Sequence, residues 1–194
     1  MKNLNFYWEY FKYIIVHKGN VIRSYYLYKP LIDNKNISRK LFWRCIFHDI
    51  SKFNPKEFIP YTKRWKMQLN DTNTLISYKY ALWRHYDKNK HHPEHWDGQD
   101  MDEVSVLEML CDWMAMSIKF NNTPQEYYFK NRNNLNFSRN TRILVEHYLG
   151  FIDKRLAENN NVTWEEYCNK YGLKPLDEFN KKFGLQVENN FTIY

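Results

Sequence analysis

VSVLEMLCDWMAMSI, residues 104–118, decides the fold of this chain, because it is apolar nearly all round and predicts a helix buried on all sides. Its only charged residues, Glu108 and Asp112, are four positions apart and so lie on one face. Burying two carboxylates is costly unless cations or hydrogen bonds compensate. Two interpretations stay open. Either a metal ion binds Asp112, with Glu108 behind the ligands or facing the substrate, or both acids pair with Arg or Lys.

Helix signals recur on both sides of this stretch, and the alternation typical of strands is nearly absent. Apolar stripes predict helices over about residues 6–28, 38–49 and 74–86. Pro60 is expected to kink a further helix, or to delay its start. The predicted fold class is an all-α helical bundle. We expect one domain over residues 1–194, with a core over about 6–120 and a C-terminal helical extension over about 121–194.

Helix boundaries are predicted from capping residues. Ser38 is expected to cap the second helix. Four segments have the sequence of a capping box, in which the first and fourth side chains each bond the backbone of the other; these begin at Asn54, Asp100, Thr123 and Thr163. Gly172 and Gly184 lie where helix C-caps are expected.

The composition favours a folded helical protein. Only 5 Gly and 6 Pro against 19% aromatic residues argue against disorder and against a loop-rich β fold. Three cysteines without a C-x-x-C pair argue against a disulfide framework or a thiolate zinc site, and Cys45 and Cys111 are predicted core residues. No apolar run approaches the ~20 residues of a membrane span, and no signal-peptide pattern is present. We expect a cytoplasmic protein.

The formal net charge of +7 favours an anionic partner, namely a nucleotide or a nucleic acid. The charge is scattered, so a solvated surface explains it equally well. Nucleic acid ranks below a small nucleotide-type substrate, because no basic groove interleaved with aromatic residues is visible. The sequence does not indicate an oligomeric state.

Histidine and aspartate residues on both sides of the central stretch are candidate metal ligands. Converging imidazole and carboxylate groups suit Mn, Fe, Co, Ni or Zn. The His48-Asp49 pair alone means little, and a lone His17 on an apolar stripe is more often a core residue. The interpretation depends on the whole set, which comprises His17, His48, Asp49, His85, His91, His92 and Asp112. His95 is expected at the surface or behind the ligands.

These motifs resemble those of the HD-domain metal-dependent phosphohydrolase superfamily. FHDISK, residues 47–52, is similar to the His-Asp-Ile-Gly-Lys motif of the branch that hydrolyses cyclic dinucleotides. HHPEHWDG, residues 91–98, is similar to the same branch's His-His-Glu…Asp-Gly stretch, although QDM follows in place of Gly-Tyr-Pro. The chain also resembles a family of phage and bacterial proteins with the pattern HD-x-S-K…H-H-P-E…D-W. The resemblance covers about residues 7–120 and implies an HD-domain-like helical bundle. A phage origin would place the protein in the host cytoplasm.

The resemblance implies two divalent transition-metal ions and a metal-activated water that cleaves a phosphate ester of a nucleotide or cyclic (oligo)nucleotide. One ion would be held by His17, His48, Asp49 and Asp112, and the second by His85, His91 and His92, with Asp49 bridging. Lys52 would stabilise negative charge on the phosphoryl group, although a plain surface lysine is the alternative. The predicted catalytic residues are Asp49, Lys52 and Glu108, and the predicted substrate-binding residues are Lys52, Arg84 and Lys90.

Two other functions fit the same residues. A di-iron enzyme of the HD type would oxidise a small substrate with O₂, and only metal identity and redox behaviour separate it from a hydrolase. A non-catalytic phage protein would sequester a nucleotide signal, yet a pure binder has no need of the full set of ligands.

Overall fold

A computed structural model describes residues 2–120 and 122–150 of the chain. These residues form helices and no strands, so the predicted all-α bundle is confirmed. The helices are α1 (Lys2–Tyr28), α2 (Lys35–Phe47), α3 (Pro55–Trp65), α4 (Thr72–Lys88), α5 (Glu103–Phe120), α6 (Pro124–Asn131) and α7 (Arg139–Tyr148). Short 3-10 turns cover Lys29–Leu31, Ile50–Phe53 and Pro93–His95.

The chain divides into two compact units, Met1–Thr141 and Arg142–Tyr194, and all of the contacts below lie in the first. The single-domain organisation stays a prediction. The capping box at Thr163 and the C-caps at Gly172 and Gly184 lie outside the described residues. No helix within the described ranges is long and apolar enough to span a membrane.

Helix α5 is the centre of the first unit, as residues 104–118 predicted. It packs against α1, α2 and α6, and Leu107, Leu110 and Cys111 on it are fully buried. Complete burial of each leucine stabilises the fold by about 1.5–3 kcal/mol. Cys45 on α2 is also buried, and both cysteines are free thiols, as predicted.

Helices α3 and α4 pack against each other, and α3 also contacts α1. Tyr10 and Ile14 of α1, Tyr61 of α3 and Ala81 of α4 share one apolar cluster. Asn54 caps α3 by accepting from the amide of Lys56 at 2.9 Å, and the helix begins at Pro55. Pro60 therefore lies inside α3 and does not delay its start.

The predicted cap of α2 is wrong by one turn. Asn34 caps this helix, since its side chain accepts from the amides of Asn36 and Ile37. Ser38 is buried inside the helix, where its hydroxyl is 3.2 Å from that of Tyr25. Both residues are good cap formers, and the contact with Tyr25 across the bundle decides between them.

Two other predicted capping boxes differ in outcome. Thr123 and Glu126 form both halves of theirs at the start of α6, as predicted. At α5 the capping side chain is Asp102, which accepts from the amide of Ser105 at 2.9 Å. Asp100 instead accepts from side chains near the start of α7, those of Ser138 and Asn140. The box predicted from Asp100 is therefore wrong.

Candidate metal centre

The structure brings all seven predicted ligands into one buried cluster in the first unit. His17 comes from α1 and Asp112 from the central helix α5, which pack against each other. His85 comes from the last turns of α4. His48 and Asp49 follow the end of α2, and His91 and His92 lie in the connection between α4 and α5. Seven residues from five separate parts of the chain therefore meet in one cluster.

One group of ligands lies where α1, α2 and α5 meet. His17 Nε2 is 3.0 Å from Asp112 Oδ1. His48 Nε2 is 3.4 Å from Asp49 Oδ2 and 3.8 Å from Asp112 Oδ1. Ligand atoms of His17, His48 and Asp49 all lie within 4.8 Å of one another.

A second group adjoins it on the side of α4. Asp49 Oδ1 is 3.3 Å from His85 Nε2 and 3.4 Å from His91 Nε2. The Nε2 atoms of His85 and His92 are 2.9 Å apart. These four residues also offer ligand atoms within 4.8 Å of one another. Asp49 belongs to both groups, with Oδ2 facing His48 and Oδ1 facing His85 and His91.

The donor atoms fit a transition metal. Among the described residues, His48 Nε2, His91 Nε2 and Asp49 Oδ1 are buried without a hydrogen-bond partner. Such atoms are costly unless a cation or a donor satisfies them. Ligand atoms about 2.0–2.1 Å from one ion lie roughly 2.9–3.4 Å apart at angles of about 90–110°. The contacts of Asp49 with His48, His85 and His91, at 3.3–3.4 Å, fall in this range.

Glu108 orients two of the histidines from behind. Its Oε1 accepts from Nδ1 of His48 at 3.1 Å and from Nδ1 of His91 at 3.3 Å. Because a carboxylate only accepts, both rings carry their proton on Nδ1 and turn the Nε2 lone pair toward Asp49. Oε2 of Glu108 accepts from Arg44 Nε at 2.6 Å. Glu108 therefore pairs with an arginine, as one of the two interpretations expected, and it also lies behind His48 and His91. Metal binding by Asp112 stays a prediction.

Glu57 plays the same part for His85, and it is not among the predicted site residues. This residue is fully buried, and its Oε2 accepts from His85 Nδ1 at 3.1 Å and from Ser51 Oγ at 2.8 Å. The capping box that began at Asn54 is wrong in its second half, because this carboxylate turns inward. One signal was available, since Glu57 is one turn before the buried Tyr61 and so shares its face.

Lys52 is the cation in contact with Asp49. Its Nζ is 2.5 Å from Asp49 Oδ2, and its side chain is 17% exposed. Burial lowers the pKa of the Lys52 ammonium, but the Asp49 carboxylate outweighs burial and holds that pKa above its ordinary value. For Asp49, burial raises the pKa, and the opposing charges of His48 and Lys52 bring it well below the usual range. Asp49 is therefore an ionised carboxylate.

Burial also keeps one histidine neutral. The pKa of His92 is well below the ordinary value because burial disfavours its charged form and because His91 and His85 add positive charge nearby. A neutral imidazole is the form that binds a metal.

The remaining predicted site residues lie outside the cluster. Arg84 Nε is 3.5 Å from Glu57 Oε1, behind His85. Lys90 extends over the ring of Trp96, with 6.0 Å between Nζ and the centroid. His95 donates from Nδ1 to the carbonyl of Tyr86 at 3.2 Å. The structure does not bring Arg84 or Lys90 to the ligands.

The backbone at Asp49 is in the left-handed region, with φ of 54°. Helix α2 ends at Phe47, so His48 and Asp49 follow it and are not part of its last turn. Lys18 donates from Nζ to the carbonyls of Ile46 and His48 at 2.9 and 2.7 Å. It too is not among the predicted site residues. These bonds satisfy carbonyls that the helix end leaves open, and the turn directs Asp49 to both groups of histidines.

A model of the family described as "Family of unknown function (DUF5662)" matches residues 6–150. The matched region contains every residue of the cluster. No curated protein and no solved structure matches the chain.

Proposed function

The chain belongs to the DUF5662 family, and from this premise we propose that it is a metal-dependent phosphohydrolase that cleaves a phosphate ester of a nucleotide or cyclic (oligo)nucleotide. The position of Asp49 carries the proposal, since its two carboxylate oxygens face two different groups of histidines. A site of this kind suits a pair of ions that share one carboxylate. The resemblance of residues 47–52 and 91–98 to the HD-domain superfamily supports the same function.

The proposed cofactor is a pair of divalent transition-metal ions. His17, His48, Asp49 and Asp112 would hold one, and His85, His91 and His92 would hold the other together with Asp49. Such a pair, when bound, lowers the pKa of a water and polarises phosphoryl oxygens.

The chain itself supplies orientation and charge. Glu108 and Glu57 hold His48, His91 and His85 by their Nδ1 protons, so the donor atoms are fixed before a substrate arrives. Lys52 places a permanent positive charge beside Asp49, where it would stabilise the charge that develops on the phosphoryl oxygens. Asp112 keeps 18% of its side chain exposed while Asp49 keeps 2%, so a substrate would approach from the Asp112 side.

Metal analysis and a substrate panel test the proposal. We expect close to two ions per chain, and hydrolysis of a nucleotide ester with Mn²⁺, Co²⁺ or Ni²⁺ that is lost to chelator and in Asp112→Ala. Asp87→Ala is the matched control, because Asp87 is an exposed carboxylate whose partner is Lys88. A metal content near zero, together with no rebinding of metal ions, would contradict the proposed hydrolase function. Iron-dependent O₂ consumption without ester cleavage would point to the oxygenase, and a bound nucleotide recovered unchanged would point to sequestration.

A further inference from the structure

A cavity of about 290 Å³ adjoins the metal cluster in the first unit. His91, His92 and Asp112 form one wall of it, so the cluster and the cavity are continuous. The cavity lies on the side of Asp112, from which the proposed substrate would approach. Whatever part of the substrate is not at the ligands therefore has this cavity available to it.

Beyond the candidate ligands, aromatic and thioether side chains form the largest group in the lining. Trp113 forms part of the wall, and its ring meets that of Tyr127 edge to face, with 4.8 Å between centroids. Phe120 and Tyr127 also line the cavity and are 59% and 39% exposed. Exposed rings next to a buried aromatic wall suit the stacking of a flat, conjugated group.

One buried polar group in the cavity has no partner. Ser117 lines the cavity and is 4% exposed, and its hydroxyl has no hydrogen-bond partner within the described residues. Asn122 and Glu94 add an amide and a carboxylate to the lining. A ligand edge that both donates and accepts hydrogen bonds matches these groups, whereas a plain hydrocarbon would leave Ser117 unsatisfied.

The cavity is poorly suited to additional phosphates. No lysine or arginine in the described part of the chain lines it, and its one ionic group beyond the ligands is the carboxylate of Glu94. Lys119 is not part of the lining, and its Nζ is 5.1 Å from the ring centroid of Phe120. The volume is near the lower limit of small-molecule pockets, about 300–1,000 Å³, which favours one ring system over two.

We propose that this cavity is the recognition pocket for a single nucleobase, so that the substrate class is a mononucleotide rather than a nucleoside triphosphate or a cyclic dinucleotide. The base would stack among Trp113, Phe120 and Tyr127, and its polar edge would bond Ser117. The inference rests on the proposed function and narrows its substrate.

Kinetics of the full chain loaded with Mn²⁺ test this. The panel is the nucleoside 5′-monophosphates, the matching triphosphates, a cyclic dinucleotide, and glycerol phosphate as an ester without a ring. We expect the monophosphates to have the highest kcat/KM. Phe120→Ala and Tyr127→Ala should raise KM for monophosphates about tenfold, as expected for loss of one stacking ring, and leave glycerol phosphate unchanged.

Two further variants control for folding. Ser117→Ala removes a hydroxyl that has no partner, so the fold should be unaffected while KM for monophosphates rises by about two- to tenfold. Ile118→Ala changes the next residue of α5, which is 43% exposed and does not line the cavity, and should behave like wild type.

The outcomes separate the pocket from the proposed function. Two outcomes would contradict the nucleobase pocket without contradicting the hydrolase. One is that Phe120→Ala and Tyr127→Ala hydrolyse monophosphates at wild-type rates, and the other is that triphosphates are cleaved as well as monophosphates. If no ester is cleaved with any metal, the proposed hydrolase function is wrong. Calorimetric titration with a nucleoside alone then tests the pocket. Nucleoside binding that Phe120→Ala weakens about tenfold would uphold the pocket, whereas no binding to the wild-type protein, or equal binding to both proteins, would overturn it.

Discussion

Replacing Glu108 by Gln should weaken metal binding about 100-fold, although Glu108 is not itself a proposed ligand. The loss of one carboxylate behind a metal-bound histidine reduces metal affinity by about 10- to 100-fold. Glu108 holds both His48 and His91, so we expect the upper end, about 2.7 kcal/mol of binding free energy. The oxygen of a glutamine side chain can accept either from the histidines or from Arg44. Its NH₂ group must then face the remaining partner, and because both groups are donors they cannot form a hydrogen bond.

Calorimetric titration of the chelator-stripped protein with Mn²⁺ measures this effect, and a circular-dichroism melt of each variant shows whether it is folded. Arg44→Met keeps the bonds from Glu108 to the histidines, and Arg44 is one-third exposed, so its Kd should stay within about threefold of wild type. Glu9→Gln removes a carboxylate from the exposed side of α1 and should change nothing. The reasoning is refuted if folded Glu108→Gln binds Mn²⁺ like wild type, or if Arg44→Met loses as much affinity.

Three further outcomes are expected. Asp49→Ala should abolish metal binding and activity together, as measured by elemental analysis and turnover; retention of one ion would show that Asp49 is not shared. Lys52→Ala should keep its metal and lower kcat by ~10²-fold, and a wild-type rate would remove Lys52 from the mechanism. Hydrogen bonds from Thr74 hold the pKa of Asp71 below 3.8, so its contribution to stability is present above that value and is lost as pH falls through the folded-state pKa. Asp71→Asn cannot titrate, and its melting temperature should therefore fall less than that of wild type between about pH 5 and pH 2; parallel curves would contradict this.

The central helix and the clustering of the candidate ligands were predictable because both depend on burial. A helix over residues 104–118 has no polar face that could be exposed to solvent, so other helices must surround it. Residues 104–118 contain no Lys or Arg that could pair with the Asp112 carboxylate, so the histidines elsewhere in the chain were the candidates for neighbours of Asp112. The structure places His17, His48 and Asp112 together.

The groups behind the ligands were not predictable, because their partners are remote in sequence. Glu57 is 28 positions from His85, and Arg44 is 64 positions from Glu108. Locally, Glu57 follows Asn54 at the spacing of a capping box, which is the commoner reason for a glutamate there. Only the packing of α3 against α4 turns this side chain inward.

The left-handed backbone at Asp49 limits what selection can place at that position. Most residues lose about 1–3 kcal/mol in this conformation, whereas Gly, Asn and Asp enter it more readily. Gly and Asn meet the demand of the backbone without supplying a charged carboxylate, and Glu supplies the carboxylate on an unsuitable backbone. A saturation library sorted for folded protein should therefore be enriched in Gly, Asn and Asp at this position. The same library sorted for metal content should return Asp alone, so the two selections would separate the demands of folding from those of chemistry at a single residue.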